Sequence, residues 1–274
     1  MVDLFQAFLL ALVQGLTEFL PISSSAHLVL VPRVLGWADQ GLAFDVAVHI
    51  GTSVAVIHAF REELASILAS FTRWGREEGG KGAGEKPEGR TLAVLLILGT
   101  LPICVAGLLV KDLVPSWRTL PVLASTTLGF GLLLGWADAG APCRRGFASL
   151  SIRDALWIGI AQCFAILPGT SRSGATITAG LMLGLDRRAS ARFSFLLAIP
   201  TILIAGGMAA KDLFSSKTEI EWIPVLVGVA VSALTARLCI HWFLAWVARI
   251  GMRPFVIYRV LLAAVLFGFV FLGS

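Results

Sequence analysis

Apolar stretches of about 20 residues recur along this chain, and each is long enough to cross the roughly 30 Å of a bilayer's hydrocarbon as a helix. Hydrophobic residues make up 57% of the 274 residues, charged residues 14%, and the mean hydropathy is +0.86. Soluble domains, disordered chains and disulfide scaffolds do not have this composition. In lipid a chain must satisfy its backbone internally, which favours helices. The sequence therefore predicts an all-α polytopic membrane protein.

Six stretches are predicted to span the membrane because they are long and nearly free of charge: 42–60, 92–110, 119–137, 193–210, 222–247 and 254–273. Two others, 4–20 and 155–167, run into a polar segment that contains proline, and the apolar sequence that follows is too short to cross. Broken segments of this kind predict two re-entrant helical hairpins. The stretch 61–90 is predicted to be a loop with an amphipathic surface helix in its first half.

The two broken segments resemble each other in sequence. Aligning Pro21 with Pro168 brings Gln14 close to Gln162, at a separation of about 148 residues. The similarity predicts a duplicated unit. We expect one integral membrane domain with two repeat halves, residues 1–137 and 138–274.

The basic residues predict how the chain is oriented. If both hairpins return to the side they enter from, one side has the loops 61–90, 143–153, 187–192 and 249–253, with 14 Lys or Arg, and the other has 111–118 and 211–217, with 4. The positive-inside rule places the richer side, including 61–90, in the cytoplasm. The halves would then be inverted, and both hairpin tips could meet near the midplane. The basic excess reflects membrane orientation, so no nucleic-acid partner is expected.

The first broken segment has ionisable groups at membrane depth, where they are costly and usually functional. Gln14 and Glu18 lie four residues apart and so share one face of a helix. Hydroxyls and an imidazole follow at Ser23, Ser24, Ser25 and His27. A structural alternative is that Glu18 caps a helix or forms an ion pair within the bundle.

The second broken segment has the composition of an anion site. Its polar residues and glycines are Gly169, Thr170, Ser171, Arg172, Ser173, Gly174 and Thr176. Glycines let the backbone approach a ligand, hydroxyls donate, and Arg172 supplies a planar cation. A helix beginning near Gly174 would add its positive dipole end. The alternative is that Arg172 pairs with Glu18 only to hold the hairpins together.

Together the two clusters predict a site for a lipid phosphate. A carboxylate can hold a divalent cation or act as a base, Arg172 can neutralise a transferred phosphoryl group, and a hydroxyl or water can attack it. These residues alone do not distinguish a phosphatase from a transporter of a phosphorylated lipid.

Residues 14–27 and 168–176 resemble the two signature motifs of the bacterial undecaprenyl-diphosphate phosphatases, the bacitracin-resistance family. The resemblance covers nearly the whole chain. It implies hydrolysis of undecaprenyl diphosphate to the monophosphate and phosphate, which recycles the carrier lipid of cell-wall synthesis. It also implies a magnesium or calcium ion, an inverted-repeat fold and the bacterial inner membrane. Gln14 is a variant that the first motif permits, and Glu18 is then its only carboxylate.

The resemblance and the residue types together assign expected roles. Glu18 would hold the cation, Arg172 the phosphate, and His27 would act as acid or base near neutral pH. Ser24 is favoured over Ser25 as nucleophile because Ser24 and His27, three residues apart, would share one face of a helix. The alternative nucleophile is a water held by Glu18 and the metal. Substrate binding is expected from Gln14, Ser23, Ser25, Gly169, Thr170, Ser171, Ser173, Gly174 and Thr176.

Several further features remain expectations. His49 and Asp45, four residues apart, could face the site, although a satisfied core pair is favoured. Arg259 is expected to snorkel or to pair within its own helix. The site is expected to open on the extracytoplasmic side, and a homo-oligomer is possible.

Overall fold

A computed structural model describes residues 2–72, 89–215 and 221–272. These residues form α-helices linked by short turns, and the secondary structure follows the apolar pattern of the sequence. In chain order the helices are α1 (Leu4–Thr17), α2 (Ser24–Leu35), α3 (Gly41–Ala59), α4 (Arg61–Thr72), α5 (Gly89–Val110), α6 (Val114–Trp117), α7 (Leu120–Gly140), α8 (Ile152–Gln162), α9 (Arg172–Met182), α10 (Arg187–Ser215), α11 (Trp222–Ile250) and α12 (Arg253–Leu272).

Within the described residues, six helices are long and apolar enough to cross a membrane, namely α3, α5, α7, α10, α11 and α12. They coincide with the six predicted stretches. Large apolar side chains such as Leu109, Trp242 and Phe271 are exposed on their outer faces, as expected of surfaces that contact lipid. The prediction of an all-α polytopic membrane protein is confirmed.

Four of the shorter helices form two hairpins, α1 with α2 and α8 with α9. With 14, 12, 11 and 11 residues, they reach about 16 to 21 Å at 1.5 Å per residue, short of a bilayer's hydrocarbon core. Capping boxes start both hairpins: Asp3 with Gln6 at α1, and Ser151 with Asp154 at α8. These local signals fix where each hairpin begins.

The two hairpins enter the bundle from opposite ends. Leu42, near the start of α3, and Met208, near the end of α10, line the same cavity, so these two helices run antiparallel. Each of them directly follows one hairpin along the chain. The arrangement agrees with the expected inversion, whereas the boundary between residues 137 and 138 stays a prediction.

The tips of the two hairpins match each other in conformation. Ser23 and Ser171 both have positive φ, 73° and 69°. Each caps the following helix by accepting the N–H of the residue three positions on. The structural match is therefore Ser23 with Ser171, 148 residues apart, and the alignment of Pro21 with Pro168 is wrong by one residue. The second tip has one more residue between its proline and its cap.

Close helix contacts hold the hairpins in the bundle. Gly15 lets α1 approach α11, because a Cβ there would lie 2.8 Å from the carbonyl oxygen of Ser232. The amphipathic helix predicted at the start of 61–90 is α4, where Leu64 and Ile67 pack against the main core. The rest of that predicted loop, residues 73–88, lies outside the described residues.

Candidate active site

A cavity of about 550 Å³ lies between α3, α5, α10 and the turn that follows α8. Most of its lining is apolar, and four ionisable side chains contribute to it: Glu18, Asp45, His49 and Arg172. A mostly apolar cavity with a few polar groups is typical of a small-molecule site. This one is suited to an amphiphile with an anionic head.

Glu18 is the residue at which the predicted site converges. It follows the last turn of α1 and is only 9% exposed. Its Oε1 accepts from Arg172 Nη2 at 3.1 Å, and its Oε2 accepts from Ser24 Oγ at 2.7 Å and from Gln14 Nε2 at 3.0 Å. The structure thus brings together four residues that the sequence singled out, from both hairpins.

Arg172 both joins the hairpins and lines the cavity. It is the first residue of α9, and its Nη1 donates to the Ser194 carbonyl at 3.1 Å while Nη2 holds Glu18. The guanidinium carbon lies 5.9 Å from the centroid of the Phe19 ring. These contacts fix the plane of the guanidinium beside the cavity, so the pairing with Glu18 and an anion contact are compatible.

The other polar residues of the tips bond mainly to the opposite hairpin or to their own helix. Ser25 Oγ accepts from the Gly169 N–H at 3.3 Å, and Ser173 Oγ donates to the Leu20 carbonyl at 2.9 Å. Local partners engage Ser23, Ser171, Gly174 and Thr176. Substrate binding by these residues remains a prediction.

Gly169 occupies a position that only glycine fits. Its φ is +90°, and a Cβ would lie 2.6 Å from the carbonyl oxygen of Leu123 on α7. The neighbouring Thr170 has a buried Oγ1 without a hydrogen-bond partner among the described residues. The second tip is therefore pressed against α7.

The structure places His27 away from the cavity. Its Nδ1 lies 2.7 Å from the Ser23 carbonyl oxygen, and its Nε2 lies 2.6 Å from the hydroxyl of Tyr258 on α12. Ser24 instead faces Glu18. The expected meeting of Ser24 and His27 does not occur, because the two side chains turn towards different helices.

His49 is the imidazole that reaches Glu18. Its Nε2 lies 3.8 Å from Glu18 Oε2, and its Nδ1 donates to the Asp45 carbonyl at 2.7 Å. Asp45 itself accepts from Gln40 at 2.9 Å and lines the cavity. The interpretation of these residues as a satisfied core pair is wrong. The four-residue spacing of Asp45 and His49 indicated that they share one face of α3. Only the rotation of α3 in the bundle shows that this face points towards the cavity.

Arg259 is completely buried and binds the hairpin tips. Its guanidinium donates to the carbonyl oxygens of Pro21, Thr126, Thr127, Gly169 and Thr170 at 3.0 to 3.3 Å. Snorkelling or pairing within its own helix was the wrong expectation. The residue ties α7 and α12 to both tips.

The donor set can be compared with the expected cation. Within the described residues no group of three or more His, Cys, Asp or Glu side chains could hold a metal. Gln14 Oε1, beside Glu18, is a buried acceptor without a partner in those residues. Magnesium usually binds one or two carboxylates and completes its shell with waters and substrate phosphates. Glu18 supplies one carboxylate at the cavity, and Gln14 supplies a fully buried amide oxygen outside the cavity lining. Both are oxygen donors of the kind that magnesium uses.

Comparison with known proteins identifies the family. Residues 7–265 match the family described as Bacitracin resistance protein BacA. Proteins named undecaprenyl-diphosphatase from Alteromonas mediterranea and Nitrosococcus oceani are each 50% identical, over 98% and 97% of this chain and 99% and 98% of their own length. One named undecaprenyl-diphosphatase 2 from Stutzerimonas stutzeri is 51% identical over 96% of this chain and 97% of its own. With its paired hairpins and Glu18–Arg172 site, the chain belongs to the bacitracin resistance protein BacA family.

Proposed function

We propose that this protein hydrolyses undecaprenyl diphosphate to undecaprenyl phosphate and inorganic phosphate, and that Glu18, Ser24 and Arg172 carry out the reaction. The observation that carries the proposal is the contact of Ser24 and Arg172 with the two oxygens of Glu18 beside an apolar cavity. The names of the close relatives favour a phosphatase over a transporter of a polyprenyl phosphate. The product is the carrier lipid of cell-wall synthesis, which links the reaction to bacitracin resistance.

The cavity suits both parts of this substrate. Apolar side chains of α3, α5 and α10 would surround the first isoprene units, and the diphosphate would lie against Arg172. A guanidinium binds phosphate oxygens through two parallel donors. Its fixed plane would hold the terminal phosphoryl group near Ser24.

Ser24 is the proposed nucleophile. Its hydroxyl already donates to Glu18 Oε2 at 2.7 Å, so Glu18 can take the proton as Ser24 Oγ bonds to the terminal phosphorus. The anhydride P–O bond breaks, and undecaprenyl phosphate leaves. Water then cleaves the phosphoserine, and the hydroxyl proton returns to Ser24. The runner-up is direct attack by a water that Glu18 holds.

Glu18 and Gln14 would hold a magnesium or calcium ion. When bound, such an ion would neutralise charge on the diphosphate as the bond breaks. The unpartnered Gln14 Oε1 beside the Glu18 carboxylate supports this role. In this proposal both residues bind the cation, and Glu18 also accepts the proton of Ser24.

The proposed site opens outside the cytoplasm, in the bacterial inner membrane. The cavity is lined by the start of α3 and the ends of α5 and α10, which adjoin 111–118 and 211–217. These two segments, the second of which includes the last residues of α10, have only 4 Lys or Arg, against 14 in the segments of the other side. The positive-inside rule then makes this end extracytoplasmic.

Release of inorganic phosphate tests the function. The purified chain in detergent, with undecaprenyl diphosphate and magnesium or calcium, should release one phosphate and leave the monophosphate. An Arg172→Ala variant is the matched negative control. Movement of a polyprenyl phosphate across vesicles by the chain, without phosphate release in either assay, would support the transporter instead.

A further inference from the structure

Both ring nitrogens of His27 are engaged away from the cavity. The Ser23 carbonyl oxygen, 2.7 Å from Nδ1, can only accept, so Nδ1 carries a hydrogen. The Tyr258 hydroxyl holds Nε2 at 2.6 Å, and the two rings stack with an interplanar angle of 10°. His27 is buried and, like Ser24, is not among the residues that line the cavity. Ser24 contacts the lining residue Glu18, whereas the partners of both His27 nitrogens, Ser23 and Tyr258, lie outside the lining. Neither nitrogen is open to a substrate bound there.

The Nδ1 bond acts on the turn that leads into Ser24. Ser23 has a φ of 73°, a backbone conformation that is strained for a residue other than glycine. Its carbonyl accepts the ring Nδ1–H at 2.7 Å and the main-chain N–H of His27 at 3.4 Å. That carbonyl belongs to the peptide unit that joins Ser23 to Ser24. Fixing it therefore fixes the backbone from which the Ser24 hydroxyl projects.

The second hairpin supplies an internal comparison. Ser171 forms the same turn with a φ of 69°, and Ala175 stands at the position that corresponds to His27. There the main-chain N–H of Ala175 lies 2.9 Å from the Ser171 carbonyl oxygen, instead of 3.4 Å. The turn thus forms without an imidazole. In the first hairpin the ring shares the carbonyl, and the first turn of α2, which begins with Ser24, is looser.

Helix α12 supplies Tyr258, whose hydroxyl contacts Nε2 of His27. Tyr258 is the chain's single tyrosine, and the next residue, Arg259, donates to the Pro21 carbonyl at 3.3 Å. The same helix therefore holds the first tip at two carbonyls, directly at Pro21 and through His27 at Ser23. We propose that His27 and Tyr258 are positioning residues, which set Ser24 against Glu18 through the Ser23 carbonyl, and that His27 exchanges no proton with the substrate.

This inference rests on the proposed hydrolysis, and asparagine at position 27 tests it. The side-chain amide of asparagine can donate from the place of Nδ1 but cannot act as an acid or base. We would measure kcat, KM and the pH profile of phosphate release for the full-length wild type, His27→Asn, His27→Ala and Tyr258→Phe. Thermal unfolding in the same detergent reports on the fold of each variant.

Positioning predicts rescue by the conservative variant. His27→Asn should keep kcat within about tenfold of the wild type, the value of one hydrogen bond, with an unchanged pH profile, whereas His27→Ala loses more. Tyr258→Phe should lower kcat by about 2- to 10-fold at constant KM. In the His27→Asn background Tyr258→Phe should have no further effect, since the contact it removes is already absent.

Two results would overturn the inference. If folded His27→Asn is as inactive as His27→Ala, with a loss of about 10²- to 10⁴-fold, His27 is an acid or base. If Tyr258→Phe matches the wild type in kcat, Tyr258 has no positioning role, whatever the alanine variant does. A wild type that releases no phosphate refutes the proposed function itself, whereas an active wild type with an inactive His27→Asn refutes only this inference.

Discussion

The hydroxyl of Ser24 lies 2.7 Å from Glu18 Oε2 and donates to it, while the other oxygen of the same carboxylate accepts from Arg172. One buried carboxylate therefore joins a candidate nucleophile of the first hairpin to a cation of the second. Residues from two separate segments meet in this way only when both tips are correctly placed. The chemistry of the site depends on the packing of the hairpins.

Ser24→Ala should lower kcat by at least about 10³-fold, because removal of a nucleophile leaves only binding and electrostatic stabilisation. Ser25→Ala is the matched control, since Ser25 contacts Ser23 and the Gly169 N–H and does not contact Glu18. It should lose about tenfold or less. Acid-quenched reactions analysed by mass spectrometry should contain phosphate on Ser24. If Ser24→Ala keeps more than a tenth of the rate, a loss below about 1.4 kcal/mol, attack by water replaces attack by Ser24.

Arg172→Lys should lose most of its activity although the charge is kept. Lysine has no planar fork, so it cannot hold Glu18, the Ser194 carbonyl and a phosphate together. We expect kcat/KM to fall by about 10²- to 10³-fold, the loss typical of one electrostatic donor. Arg188→Lys, at an exposed position of α10, should behave as the wild type. Near-normal turnover of Arg172→Lys would remove Arg172 from the phosphate site.

Glu18→Gln tests the cation and the base separately. Binding of Mn²⁺ to the substrate-free protein, followed by electron paramagnetic resonance, should weaken strongly because the ligand charge is lost. Hydrolysis should disappear in the same variant, and excess magnesium should not restore it. Glu221→Gln, at an exposed position, is the control for both measurements. Unchanged Mn²⁺ binding with lost hydrolysis would leave Glu18 as a base and place the cation elsewhere.

The spans and hairpins could be predicted from the sequence because their signals are local. Length and apolar content identified the six spanning helices, and the broken stretches identified the hairpins. The pairing of Glu18 with Arg172 was one of the two alternatives that the sequence offered, because ionisable groups at membrane depth need a partner.

The side chains that were misplaced are those whose direction depends on helix rotation. The spacing from Ser24 to His27 did predict a shared helical face, but α12 provides a tyrosine that draws His27 away from Glu18. His49 reaches Glu18 only because α3 packs with that face towards the cavity. Arg259 looked like a snorkelling residue because the carbonyls that surround it come from distant parts of the chain. No short-range pattern contains this information.

Arg259→Lys should destabilise the fold and, through it, the site. The guanidinium satisfies five buried carbonyl oxygens, whereas an ammonium has three donors and leaves at least two of them unpaired. At about 1–3 kcal/mol for each unpaired group, the free energy of unfolding should fall by about 2–6 kcal/mol. Denaturation in mixed micelles measures the change, and Arg249→Lys, exposed near the end of α11, should leave it within about 0.5 kcal/mol. Because Arg259 holds both tips, the lysine variant should also lose turnover below its unfolding transition. Full stability in Arg259→Lys would show that the tips are held by their mutual contacts at Ser25 and Ser173 and do not depend on α12.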